Sequence, residues 1–187
     1  DGLPLLAGAD AAGPLVARLL ASPDDDERAA IRTALVALPG EQTNANLAAE
    51  MEKASDDVAV LLLDVLAQRG ATDQRERIES MATLHDGAVR VAAVRALEAL
   101  GNKDSVAKLL TLLKQPADEE EREAIEAALG KICRRIDDPA KRTAPLLAAI
   151  DTQDAELYAS LLRILGHVGG KDAIDAIRTA TKDKREP

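Results

Sequence analysis

The chain has 187 residues, of which 47% are hydrophobic and 30% charged, a balance that supports a packed globular core. It has no Trp, no Phe and a single Tyr, so Ala, Leu, Ile and Val must fill that core, and the alternating patterns of β-strands are absent. A formal net charge of −9 disfavours a nucleic-acid partner, because an acidic surface repels phosphate.

Cysteine content and apolar run length exclude two further features. Cys133 is the single cysteine, which rules out an internal disulfide. No stretch approaches the run of about 20 apolar residues that a membrane span needs, so we predict no span. Because the chain starts at Asp1 rather than Met, and its first unit lacks an obvious polar cap, we expect it to be one region of a longer protein.

Helical patterns recur along the chain with a period of about 30 residues, which is the signature of stacked helical repeats. The predicted repeats cover residues 11–40, 41–70, 71–101, 102–136 and 137–170, followed by a terminal helix at 171–182. Together they predict one all-α domain over residues 1–187. The clearest similarity joins the segment that begins at Asp86 to the one that begins at Asp154.

Each repeat reads as two helices, of which the second is the better defined. In the third repeat Asp86 is the predicted N-cap, since its carboxylate can accept the free amide hydrogens of the first turn. The apolar residues at 89, 93, 96, 97 and 100 form one buried stripe. Gly101 is predicted to end the helix in the left-handed conformation. In the fourth repeat a Lys131–Arg135 extension predicts a longer second helix.

The segment from Asp86 to Asp104 reads Asp-x-x-Val-Arg-x-Ala-Ala-x-x-Ala-Leu-x-x-Leu-Gly-x-x-Asp and resembles the short bacterial HEAT repeat. The resemblance covers nearly the whole chain, from about Ala11 to Lys182. It implies a right-handed α-α superhelix, an α-solenoid of about five two-helix repeats whose second helices line a concave face. It also implies that the Asp and Arg that open these helices bond between neighbouring repeats. The positions concerned are Asp24/Arg28, Asp86/Arg90 and Asp118/Arg122.

No constellation of residues indicates catalysis, so we predict a protein that is not an enzyme and has no cofactor or metal. His85 and His167 stand far apart, and neither has the spacing of a metal ligand set. Cys133 follows a core-like Ile132 with no neighbouring His and is predicted to be a packing residue. The HEAT-like DNA glycosylases use aromatic residues and a basic wall, which this composition disfavours.

The remaining candidate is the surface of the second helices that faces away from the buried stripe, which we call the second-helix face. Its predicted positions are Ala29, Thr33, Val36, Val60, Asp64, Ala67, Val91, Arg95, Glu98, Glu123, Ala127, Gly130, Ala159, Arg163 and Gly166. As partner contacts on this face we predict the charged Asp64, Arg95 and Arg163 and the apolar Val60 and Val91.

The favoured function is a non-enzymatic scaffold that binds a protein partner on this face. A purely structural spacer within a larger protein is the alternative, and a HEAT-like nucleic-acid-binding or glycosylase protein is a third.

Overall fold

The computed structural model describes residues 9–21 and 24–180, which form an all-α fold of the helical-repeat (solenoid) class with no strand in those ranges. The α-helices of this part of the chain are α1 (Ala12–Ala21), α2 (Asp25–Ala37), α3 (Glu41–Met51), α4 (Asp56–Gln68), α5 (Arg75–Leu84), α6 (Gly87–Leu100), α7 (Ser105–Leu113), α8 (Glu119–Arg134), α9 (Pro139–Ala149), α10 (Ala155–Val168) and α11 (Lys171–Ala180). Short 3₁₀ turns at Ala9–Ala11 and Thr72–Gln74 precede α1 and α5. Of the predicted terminal helix, residues 181 and 182 lie outside the described residues, and the repeat boundaries stay a prediction.

The chain divides into two compact units, residues 1–100 and 101–187. In the first unit α6 packs against both α4 and α5, and fully buried leucines such as Leu62 and Leu97 form the core. In the second unit α8 packs against α7 and α10 around Ile125 and Leu161. Both interiors consist mainly of aliphatic side chains and alanines, as the composition predicts.

Aspartates begin several of the second helices. The Asp118 carboxylate accepts the backbone N–H of Glu121 at 2.8 Å. The Asp154 carboxylate accepts the N–H groups of Glu156 and Leu157, both at 3.0 Å. These bonds satisfy amide hydrogens that have no partner within the helix, and the negative charge faces the positive end of the helix dipole.

The predicted left-handed conformation of Gly101 is wrong. Gly70 and Gly169, which follow α4 and α10, do have positive φ values of 66° and 70°, but Gly101 does not. Its carbonyl oxygen instead accepts a 2.8 Å hydrogen bond from Nη2 of Arg135. A side chain from further along the chain therefore satisfies a backbone group at this turn.

Arg28 and Arg122, to which the resemblance assigns bonds between repeats, make such bonds. Arg28 of α2 donates to Asp57 of α4 at 3.3 Å, and Arg122 of α8 pairs with Glu156 of α10. Nε of Arg90 donates to the carbonyl oxygen of His85, five residues earlier, at 2.7 Å.

Candidate functional site

The candidate site lies between α8 and α10 in the second unit. Successive contacts advance along both helices in the same direction, from Arg122–Glu156 through Glu126–Arg163 to Gly130 beside His167. The two helices are therefore parallel, with their N-termini at the same end. A Cβ atom on Gly130 would lie 3.6 Å from the Cβ of His167, which shows how closely the helices approach at their C-terminal ends.

A two-point ion pair between Arg163 and Glu126 joins the helices at mid-length. Nε and Nη2 of Arg163 donate to the two carboxylate oxygens of Glu126 at 2.9 and 2.6 Å. Nη2 also donates to Oγ of Ser160 at 3.1 Å. Such a planar, two-point arrangement fixes the orientation of both side chains.

The surroundings of this pair shift both pKa values. For Glu126 burial acts to raise the pKa, but the hydrogen bonds from Arg163 and Ser160, with the charges of Arg163 and Arg122, outweigh burial and lower it. The hydrogen bond to Glu126 raises the pKa of Arg163. Both groups are therefore charged at neutral pH, and the pair carries no net charge.

Two cavities open along these helices and meet at the ion pair. The first, of about 230 Å³, is lined by Glu119, Arg122, Ala155, Glu156, Ala159 and Arg163. The second, of about 290 Å³, is lined by Glu123, Glu126, Ala127, Gly130, Lys131, Arg134 and His167. We call the two cavities together the α8–α10 groove. Alanine and glycine line the groove between the charged side chains, so a ligand backbone can approach the helices closely.

The α8–α10 groove is charged differently at its two ends. At the N-terminal end the carboxylates of Glu119, Glu123 and Glu156 face solvent, and the side chains of Glu119 and Glu156 are 69% and 78% exposed. Arg122, at the same end, pairs with both Glu119 and Glu156 and is only 13% exposed. The C-terminal end carries Lys131, Arg134 and His167. This distribution matches the dipoles of the two parallel helices, which favour acidic residues at N-termini and basic residues at C-termini.

Of the predicted contact residues, only Arg163 lines the α8–α10 groove. The others belong to the first unit, where Asp64 of α4 pairs with Arg32 of α2 at 2.6 Å and also accepts a hydrogen bond from Gln68. Arg95 is exposed on α6, and Val60 is half-buried on α4. Val91 is only 8% exposed, so it contributes to the core and offers little surface to a partner.

The cross-helix ion pairs follow the same register in each unit. In the first unit Arg28–Asp57 is followed by Arg32–Asp64. In the second unit Arg122–Glu156 is followed by Glu126–Arg163, again four residues later on the earlier helix and seven on the later one. The sequence-based selection missed Arg32 and Glu126. An opposite charge one repeat further along the chain is the signal that could have found them.

A third cavity, of about 480 Å³, lies between α7 and α9 in the second unit. Ala107, Leu110, Pro145 and Leu157 are among its lining residues. It contains no position of the predicted second-helix face and therefore serves below as a control surface.

Two observations bear on catalysis and metal binding. Cys133 is fully buried, and this burial raises the pKa of its thiol to about 11, so the reactive thiolate is disfavoured at neutral pH. Within residues 9–21 and 24–180 no group of three or more His, Cys, Asp or Glu side chains is placed to hold a metal ion.

The helices of the described chain are all too short or too polar to cross a membrane.

Comparisons with known proteins agree with the fold. A family model described as HEAT repeats matches residues 43–130. An engineered protein of known crystal structure is 20% identical with a TM-score of 0.52, and the match covers 91% of this chain and 51% of that one, so the chain spans about half the length of that protein. A designed armadillo repeat protein in complex with the peptide (KR)4 is 19% identical with a TM-score of 0.51, covering 90% of this chain and 87% of that one. No curated protein sequence matches the chain.

Proposed function

We propose that this chain, which matches a family model described as HEAT repeats over residues 43–130, is a non-enzymatic scaffold that binds a protein partner on its second-helix face. The observation that carries the proposal is the α8–α10 groove, where five of the six predicted face positions of the second unit line a cavity: Glu123, Ala127, Gly130, Ala159 and Arg163. Clefts lined by small residues, with charged groups at fixed positions, are suited to a peptide segment.

The designed armadillo repeat protein supports this proposal by analogy alone, since a protein of similar fold is there in complex with the peptide (KR)4. The buried thiol of Cys133 also favours a role without nucleophilic catalysis. The acidic balance of the chain favours a protein partner over a nucleic acid.

The cross-helix ion pairs favour a second candidate, a structural spacer. Asp64 and Arg163 are each held by a side chain of the neighbouring second helix, a role that needs no partner. A spacer requires the helices to be fixed to one another but does not require an open groove.

Site-specific photo-crosslinking separates the two functions. We would replace Ala127 or Ala159 of the full chain with p-benzoylphenylalanine and irradiate it in an extract of the source cells. Ala107, which lines the α7–α9 cavity, is the matched control because it too is a helical alanine beside a cavity. The scaffold predicts one discrete cross-linked protein from the groove positions and none from Ala107. A spacer predicts the same background from all three positions.

A further inference from the structure

The charge distribution of the α8–α10 groove defines what kind of segment it can hold. Along α8 the exposed Glu119 and Glu123, with Glu156 of α10, precede Lys131 and Arg134. Arg122 pairs with Glu119 and Glu156, so three carboxylates and one guanidinium leave the acidic end a net charge of −2. Between them Arg163 and Glu126 neutralise each other, so the middle of the groove attracts neither sign of charge. A ligand with one type of charge would be attracted at one end and repelled at the other.

The length of the groove sets the spacing between the two charges of a ligand. From Glu123 to Arg134 α8 advances by eleven residues, or about 16 Å at the helical rise of 1.5 Å per residue. An extended peptide advances about 3.3 Å per residue, so about five residues cover the same distance.

The walls of the groove favour an extended backbone rather than a helix. The two cavities have volumes of about 230 and 290 Å³ and are divided by the Arg163–Glu126 pair. Each cavity accommodates one or two side chains, whereas a helix of about 10 Å diameter would have to displace the ion pair. Ala127, Gly130 and Ala159 leave room for a ligand main chain near the helices.

We propose that the α8–α10 groove binds an extended peptide segment that carries basic residues at one end and acidic residues about five positions away. The basic residues lie against Glu119, Glu123 and Glu156, and the acidic residues lie against Lys131 and Arg134. This inference rests on the proposed protein-binding function and adds the chemistry of the partner.

The proposed charge pattern, called the charge rule here, is tested by measuring the binding of labelled peptides to the full chain by fluorescence anisotropy at low salt. The first peptide places two lysines and two glutamates at the ends of an Ala-Ser spacer. The second has the same composition with the charges alternating, and the third and fourth have only lysines or only glutamates. Exposed charge pairs each add a small increment, so we expect the first peptide to bind about tenfold more tightly than its isomer, with the advantage reduced at high salt. Equal binding of the two isomers, or tighter binding of a peptide with one type of charge, would overturn the proposal.

Single charge reversals provide a sharper readout than loss of binding. Arg134→Glu removes the net positive charge of the basic end, where Lys131 then faces one new carboxylate, and should shift the preference to the all-lysine peptide, whereas Glu123→Lys should shift it to the all-glutamate peptide. Lys103→Glu is the matched control for Arg134→Glu, because it makes the same change of net charge on an exposed turn of the second unit outside the groove. Unchanged preferences in both groove variants, or the same shift in the control, would contradict the charge rule.

The experiments give different results depending on whether the scaffold function or only the charge rule is wrong. A protein cross-linked at Ala127, combined with equal binding of the isomeric peptides, preserves the scaffold function and rejects the charge rule. Background cross-linking at Ala127 and Ala159, together with no peptide binding, rejects both.

Discussion

Arg69, the residue directly after α4, donates a 2.5 Å hydrogen bond from Nη1 to the carbonyl oxygen of Leu38 at the end of α2. The same nitrogen lies 2.8 Å from the carbonyl oxygen of Leu35, and Nε donates to Oδ1 of Asn44 at 2.7 Å. A helix ends with carbonyl groups that have no partner within it, and here one guanidinium of the next repeat satisfies several of them. Arg69 thus connects two consecutive repeats of the first unit through backbone atoms.

Removal of this guanidinium should destabilise the first unit. We expect Arg69→Ala to lower the free energy of unfolding by about 2–3 kcal/mol, since partly buried carbonyl oxygens lose a charged donor. Arg69→Lys should recover only part of the loss, because an ammonium cannot reproduce the planar fork.

The measurement is urea denaturation followed by circular dichroism. Arg77→Ala is the control, since Arg77 is exposed and its nearest approach to Glu52 is 3.7 Å. We expect this control to change stability by less than about 0.5 kcal/mol. Equal effects of Arg69→Ala and Arg77→Ala would show that the bonds to α2 contribute nothing to stability.

The Glu126–Arg163 pair predicts a pH-dependent contribution to stability. Because the pKa of Glu126 is lower in the folded protein than in the unfolded chain, the folded state binds a proton less readily. The contribution is present above the ordinary glutamate pKa of about 4.3 and is lost as the pH falls through the lower folded value. We expect wild type to be more stable than Glu126→Gln by about 1 kcal/mol at pH 7, since Arg163 is half exposed, and this difference to disappear under acidic conditions.

Urea denaturation of both proteins between pH 3 and pH 7 measures this difference. Glu76→Gln, at an exposed glutamate of α5, serves as the control for general acid effects. A constant gap between wild type and Glu126→Gln over the whole pH range would contradict the assigned direction of the pKa shift.

Cys133 predicts a second pH dependence, with the opposite sign. Its pKa of about 11 in the folded protein lies above that of an unfolded thiol, near 8.5, so the folded state favours the protonated form. The stabilisation is complete below pH 8.5 and is lost as the pH rises toward 11. We expect wild type to lose stability relative to Cys133→Ala between these values.

Thiol reactivity provides an independent measurement. Native protein at pH 7.5 should react with Ellman's reagent only at the rate at which it opens, whereas protein in urea should react at once. Immediate stoichiometric reaction of the native protein would show that Cys133 is accessible.

How far the sequence predicts these features depends on the separation of the interacting residues. The capping role of an aspartate at a helix start, the buried stripe of α6 and the extension of α8 are local, and each follows from residues within a few turns. The roles of Arg69 and Glu126 depend on partners about 30 residues away, and hence on how consecutive repeats pack. Val91 shows the same limit, because this position, predicted from its place on the helix to face a partner, is only 8% exposed in the folded structure.

Gly130 allows a test in which stability and binding should change in opposite directions. Gly130 lies inside α8, where glycine costs about 0.5–1 kcal/mol relative to alanine. The added Cβ would meet the Cβ of His167 at 3.6 Å, an ordinary contact, so we expect Gly130→Ala to stabilise the protein by about this amount. The same methyl group projects into the groove cavity that Gly130 lines, and binding of the peptide with separated charges should weaken severalfold.

Gly166→Ala is the matched control, because Gly166 lies inside α10, where an added Cβ would meet no heavy atom within 4 Å, and it does not line either cavity of the groove. This variant should gain similar stability, measured by thermal denaturation, and should bind the peptide like wild type. If both variants gain stability and keep wild-type binding, the peptide does not occupy the cavity beside Gly130. If Gly130→Ala is destabilised while Gly166→Ala is not, the helices approach more closely at His167 than the 3.6 Å contact indicates.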